Sequence, residues 1–60
     1  MKAKEILDLM ETGELTFQFK ETFFKYDGAI GIVEATAHFG DFNIEELKLV
    51  DGRLFFRVRK

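Results

Sequence analysis

His38 is the only imidazole in the chain and the one candidate of its kind for a base, and Asp41 follows it at a spacing that a pair of metal ligands could use. Two ligands fall short of the three or four that hold a metal, so no metal is assigned. Nucleophilic catalysis needs an activated Ser, Cys, Thr or Lys beside a base, and neither serine nor cysteine occurs here. Glu45 with Glu46, or Glu21 with Glu34, are the remaining candidates for an acid and base pair. Neighbouring carboxylates on a strand point to opposite faces, and a chain this short has little room for the dry cleft that shifts a carboxyl pKa. Gly13, Gly28, Gly31, Gly40 and Gly52 are scattered and form no phosphate-binding loop. Gly31 reads as a residue inside a strand, marking a bulge or a close backbone approach. The chain is therefore expected to be non-catalytic, with no catalytic residue, cofactor or small-molecule substrate assigned.

Binding chemistry is better represented. Arg53, Phe55, Arg57 and Arg59 alternate, so a strand would present them on one face, with Lys60 just beyond. Guanidinium groups meet phosphates while an exposed aromatic gives a base something to stack on, as in sheet-based binders of single strands. Charge on a strand also serves simply to keep sheet edges apart, and Glu46 is a ready partner for Arg57. The charges are segregated: Arg53, Arg57, Arg59 and Lys60 crowd the end of the chain, whereas Glu5, Asp8, Glu11 and Glu14 outweigh Lys2 and Lys4 at its start.

These residues must be positioned by elements that the hydropathy pattern suggests. Ala3, Ile6, Leu7 and Met10 form a helical stripe, which predicts a helix over residues 2 to 12 closed by Gly13. From Leu15 the period becomes two, and Asp27-Gly28 supplies a hairpin turn. A bulged loop there sets Lys20 opposite Glu34, Phe17 opposite Ala37 and Leu15 opposite Phe39, giving one apolar face. In that register Phe24, Tyr26, Ile30 and Ile32 fall on the other face. Either a bulge returns them to the core or they form a partner-binding patch. A second turn at Asp51-Gly52 pairs Leu49 with Leu54, Leu47 with Phe56 and Glu46 with Arg57. A rival signal, Asn43 with Glu46 as a capping box, would make residues 44 to 50 a short helix in an α-β-β-α-β order.

Size and composition bound the rest. Sixty residues make one domain, residues 1 to 60, with 47% hydrophobic side chains and eight Phe to fill its core. A net charge of −2 argues against a globally basic nucleic-acid or membrane-surface protein. With no cysteine, signal peptide or long apolar run, the cytoplasm is the expected compartment. The expected fold is α+β: one N-terminal helix packed on a four-stranded antiparallel β-meander. The expected function is a protein–protein interaction module, self-associating as a homodimer, suited to a small regulator or inhibitor. Phe24, Tyr26, Ile30, Ile32 and Phe55 are its candidate contacts. The alternative is a small nucleic-acid-binding protein using Arg53, Arg57, Arg59 and Lys60.

Overall fold

A computed structural model describes all 60 residues. In chain order they form helix α1 (Ala3–Leu7), strands β1 (Glu14–Phe19) and β2 (Thr22–Asp27), helix α2 (Gly28–Phe39), and strands β3 (Asn43–Val50) and β4 (Arg53–Arg59). The four strands make one sheet in the order β2-β1-β4-β3. Both hairpins are antiparallel, but they join through a parallel pairing of β1 with β4, Leu15 beside Leu54 and Phe17 beside Phe56. The protein is thus α+β with a mixed sheet and two helices, and the expected antiparallel meander is corrected at that junction. The correction follows from α2, which carries the chain from the β2 edge of the sheet to the β3 edge. Parallel strands require such a crossover, whereas a meander needs only tight turns.

The first hairpin turns at Lys20-Glu21, so Phe19 faces Thr22, Phe17 faces Phe24 and Leu15 faces Tyr26. The expected pairings of Lys20 with Glu34 and Phe17 with Ala37 do not form. Asp27-Gly28 is a strand-to-helix corner instead. Gly28 has φ +72° and its N–H donates to Gly13 O at 2.9 Å, extending the ladder by one bond before the chain turns away. With the turn moved, Phe17, Phe19, Phe24 and Tyr26 share one face, and the parity conflict disappears without a bulge.

Helix α2 is a poor helix by composition, with two glycines and the β-branched Ile30, Ile32, Val33 and Thr36. Packing outweighs propensity here. Ile32, Ala35 and Phe39, at i, i+3 and i+7, are buried over β1 and β2 together with Gly31. Gly31 lies in this helix rather than in a strand, and it does mark a close approach. A Cβ at that position would stand 2.9 Å from the backbone carbon of Tyr26.

Helix α1 is shorter than its apolar stripe implies. After Leu7 the chain tightens, Leu9 N–H bonding to Ile6 O and Met10 N–H to Leu7 O at 3.0 Å each. The stripe still packs, with Ala3 and Leu7 buried and Ile6 and Met10 half-buried. Five residues cannot satisfy their own first-turn donors, and the neighbouring loop does so. Ala3 N–H donates to Phe42 O and Lys4 N–H to Gly40 O, both at 2.9 Å, while the Glu5 carboxylate accepts from Lys2 N–H at 2.7 Å. Ile44 N–H donates to Met1 O at 2.8 Å, so the first residues run as a short antiparallel addition along the start of β3.

Residues 43 to 50 are strand, not helix, with a bulge between Ile44 and Glu46. The turn at Asp51-Gly52 has φ of 52° and 79°, the doubly left-handed pattern that matches strand twist. Leu49 faces Leu54, Leu47 faces Phe56 and Glu46 faces Arg57, as the sequence predicts. At the centre of the core the Phe17 ring stacks on Phe56 at 4.5 Å and on Phe39 at 5.2 Å, with Tyr26 edge-on at 5.8 Å. Such pairs add about 0.5 to 1.5 kcal/mol each beyond area burial. No helix is long and apolar enough to cross a membrane.

Candidate functional site

The sheet has one face under the helices and one that is bare. Strand alternation puts Glu14, Thr16 and Gln18 of β1, Phe23, Lys25 and Asp27 of β2, Glu46, Lys48 and Val50 of β3, and Arg53, Phe55, Arg57 and Arg59 of β4 on the bare face. The register sorts them into rows across all four strands. One row reads Asp27, Glu14, Arg53, Val50; the next Lys25, Thr16, Phe55, Lys48; the third Phe23, Gln18, Arg57, Glu46.

Electrostatics differ between these rows. In the first, Arg53 is held by Asp27 Oδ1 at 3.0 Å and Glu14 Oε2 at 3.9 Å, and Nη1 also donates to Leu15 O at 3.0 Å. The second row contains no acid, and its Lys48 ammonium lies 5.2 Å from the centre of the Phe55 ring. In the third, Arg57 approaches Glu46 at 3.7 Å, and at the margin Arg59 approaches Glu45 at 3.7 Å. Thr16, the smallest residue near the middle of this face, leaves a hollow of about 310 Å³ between Phe23, Phe55, Lys25 and Arg53.

The five expected contact residues do not form one surface. Tyr26 and Ile32 are core residues, 8% and 7% exposed. Phe24 is half-buried with its ring 5.0 Å from Phe39. Ile30 is 75% exposed on the outside of α2, and Phe55 is half-buried on the bare face. Arg53, Arg57 and Arg59 do share the bare face with Phe55, but each has an acidic neighbour. Lys60 turns towards the other side, its ammonium 5.9 Å from the Phe42 ring.

Phe23, 59% exposed, belongs to the bare face and was hidden by the misplaced turn: an unbroken strand would put it on the face of Phe17 and Phe19, whereas the reversal at Lys20-Glu21 sets it beside Gln18. Leu47 and Leu49 were read only as partners of Phe56 and Leu54. They are 41% and 69% exposed, because α2 lies over β1 and β2 and leaves the outer strand of the second hairpin uncovered.

His38 sits on α2, with Nδ1 2.8 Å from Tyr26 Oη. Burial, with a smaller contribution from Glu34, pushes the Tyr26 hydroxyl above its ordinary pKa, so the phenol stays protonated and can donate to the imidazole. The bond ties helix to strand and exposes no free nucleophile. Asp41 does not join His38. It accepts from Lys4 Nζ at 3.0 Å, and this hydrogen bond, with the attraction between the charges, lowers the Asp41 pKa and raises that of Lys4. No group of three or more potential metal-ligating side chains comes together.

No family model, no curated protein sequence and no solved structure matches this chain.

Proposed function

We propose that this protein is a non-catalytic, cytoplasmic interaction module that self-associates by pairing β3 of one copy with β3 of a second. The observation that carries the reading is the outer edge of β3. Residues 1 to 3 cover its start, but from Glu45 to Val50 the backbone has no neighbour on the outside, and no proline or inward-facing charge blunts it. The free stretch is also complementary to itself. Antiparallel pairing about a two-fold axis at Leu47 would set Leu47 against Leu47 and Glu46 against Lys48 in both directions. The opposite edge, β2, lacks this property. Centred on Lys25 it would oppose two lysines, and centred on Phe24 it would leave each Lys25 beside Phe23 with no carboxylate.

Solution mass measured by light scattering over a wide concentration range tests the pairing. The wild type should form a dimer. Leu47→Lys, which alters an exposed side chain, should weaken it more than about tenfold by placing like charges in direct opposition. Glu46→Lys should weaken it as well, and adding Lys48→Glu to that change should restore it. A wild type that stays monomeric, or a dimer indifferent to Leu47→Lys, rules the pairing out.

A further inference from the structure

The bare face is unusual among the surfaces of this protein in combining aromatic rings, cations and a concavity. Phe23 is 59% exposed on an outer strand, where a polar residue would serve the fold equally well. Phe55 lies near it across β1, and the hollow of about 310 Å³ over Thr16 separates them. The row through Thr16 has a lysine at each end and no acid, and Lys25 makes no ion pair. Of the acids on this face, Asp27 and Glu14 hold Arg53, and Glu46 lies between Arg57 and Lys48, while Asp51 in the β3–β4 turn borders the hollow at the end away from Lys25 and Lys48 without an ion pair.

A ligand that fits must be flat and apolar where it enters the hollow and anionic on either side of it. Unstacked nucleobases joined by phosphates have that alternation. A duplex does not, because its bases are already stacked on one another. We propose that the bare sheet face binds single-stranded nucleic acid. One base lodges over Thr16 between Phe23 and Phe55, and the flanking phosphates meet Lys25 on one side and Lys48 and Arg57 on the other. The site lies on the sheet face, not on the β3 edge, and does not depend on self-pairing. If copies do pair through β3 about an axis normal to the sheet, their two bare faces lie side by side.

Fluorescence anisotropy with a labelled oligothymidylate of about 15 nucleotides tests the site, with each variant's fold checked by circular dichroism and thermal melting. The wild type should bind at low salt and lose affinity steeply between about 50 and 200 mM salt as counterions are released. Phe23→Ala and Phe55→Ala should each weaken binding by about 5- to 100-fold, whereas Phe23→Tyr and Phe55→Tyr, which keep a ring, should bind nearly as the wild type does. Lys25→Glu should weaken binding and flatten its salt dependence. Absence of binding at low salt overturns the proposal. So does equal affinity for a duplex of the same length, or unchanged affinity in the Phe23→Ala, Phe55→Ala double variant, either of which would mark non-specific attraction to polyanions. Leu47→Lys leaves the bare face intact, so failure of self-pairing and failure of nucleic-acid binding are read on different variants.

Discussion

Both hairpins alternate apolar and polar residues, yet they end in different environments. In the β1–β2 hairpin the apolar side chains of the inner face lie beneath α2, and Leu15, Phe17 and Tyr26 are buried. In the β3–β4 hairpin the inner strand is buried through Phe56 and Val58, while Leu47 and Leu49 on the outer strand remain open. Alternation thus states which side chains share a face, and the reach of the helices decides which of them are removed from water. A twelve-residue helix is about 18 Å long and covers roughly two strands, so a four-stranded sheet with one such helix keeps an apolar margin. That margin coincides with the free edge proposed for self-pairing.

The contrast can be tested most strongly at its extremes. Phe17→Ala should cost about 3 to 5 kcal/mol in chemical denaturation, because the ring is fully buried between Phe39 and Phe56. Leu49→Ala, on the same sheet face, should cost under about 0.5 kcal/mol at concentrations where the chain is monomeric. Comparable losses would mean that the outer strand is packed after all. A smaller effect is expected at Gly31, the point where α2 approaches β2. Alanine ordinarily favours a helix over glycine by about 1 kcal/mol, but here its Cβ would meet backbone at 2.9 Å, and Gly31→Ala should lower stability by about 1 to 3 kcal/mol.

The two turns should respond in opposite directions. Gly52→Ala forces a side chain into φ +79° and should lower the melting free energy by about 1 to 2 kcal/mol. Lys20 already occupies φ 57°, and Lys20→Gly should raise it by up to about 1 kcal/mol. The smallest effect concerns the clasp that holds α1 to the loop before β3. The stability from Asp41 is present above the ordinary carboxylate pKa and fades as pH falls through its lowered folded value. The stability from Lys4 is present below the ordinary lysine pKa and fades as pH rises through its raised folded value. Both side chains are solvated, so Asp41→Asn should flatten only slightly the acid and alkaline limbs of a melting temperature profile.

The second hairpin was legible in the sequence because Asp51-Gly52 carries its own turn chemistry, and the cross-strand pairs from Val50–Arg53 to Glu46–Arg57 agree with it, up to the bulge. The first was not, since Lys20-Glu21 contains no Gly, Asn or Asp to announce a reversal. Asp27-Gly28 misled for a physical reason: a glycine at positive φ serves a strand-to-helix corner as well as a hairpin. Ala35, Ala37 and Phe39 then mimicked strand alternation, although Ile32, Ala35 and Phe39 also carry the helical period. The parallel contact of β1 with β4 has no local signature at all. On the bare face, the alternation of Arg53, Phe55, Arg57 and Arg59 was readable, whereas Phe23 could be placed only once the turn was known.

The position of β4 also bears on how the chain is made. It follows the other three strands in the chain, yet it lies inside the sheet and contacts both β1 and β3. Leu15 must wait for Leu54, and Phe17 for Phe56, before the ring stack can close. A nascent chain on the ribosome therefore cannot complete its core until residues near Val58 have cleared the exit tunnel. Until then its phenylalanines are open to chaperones or to other nascent chains.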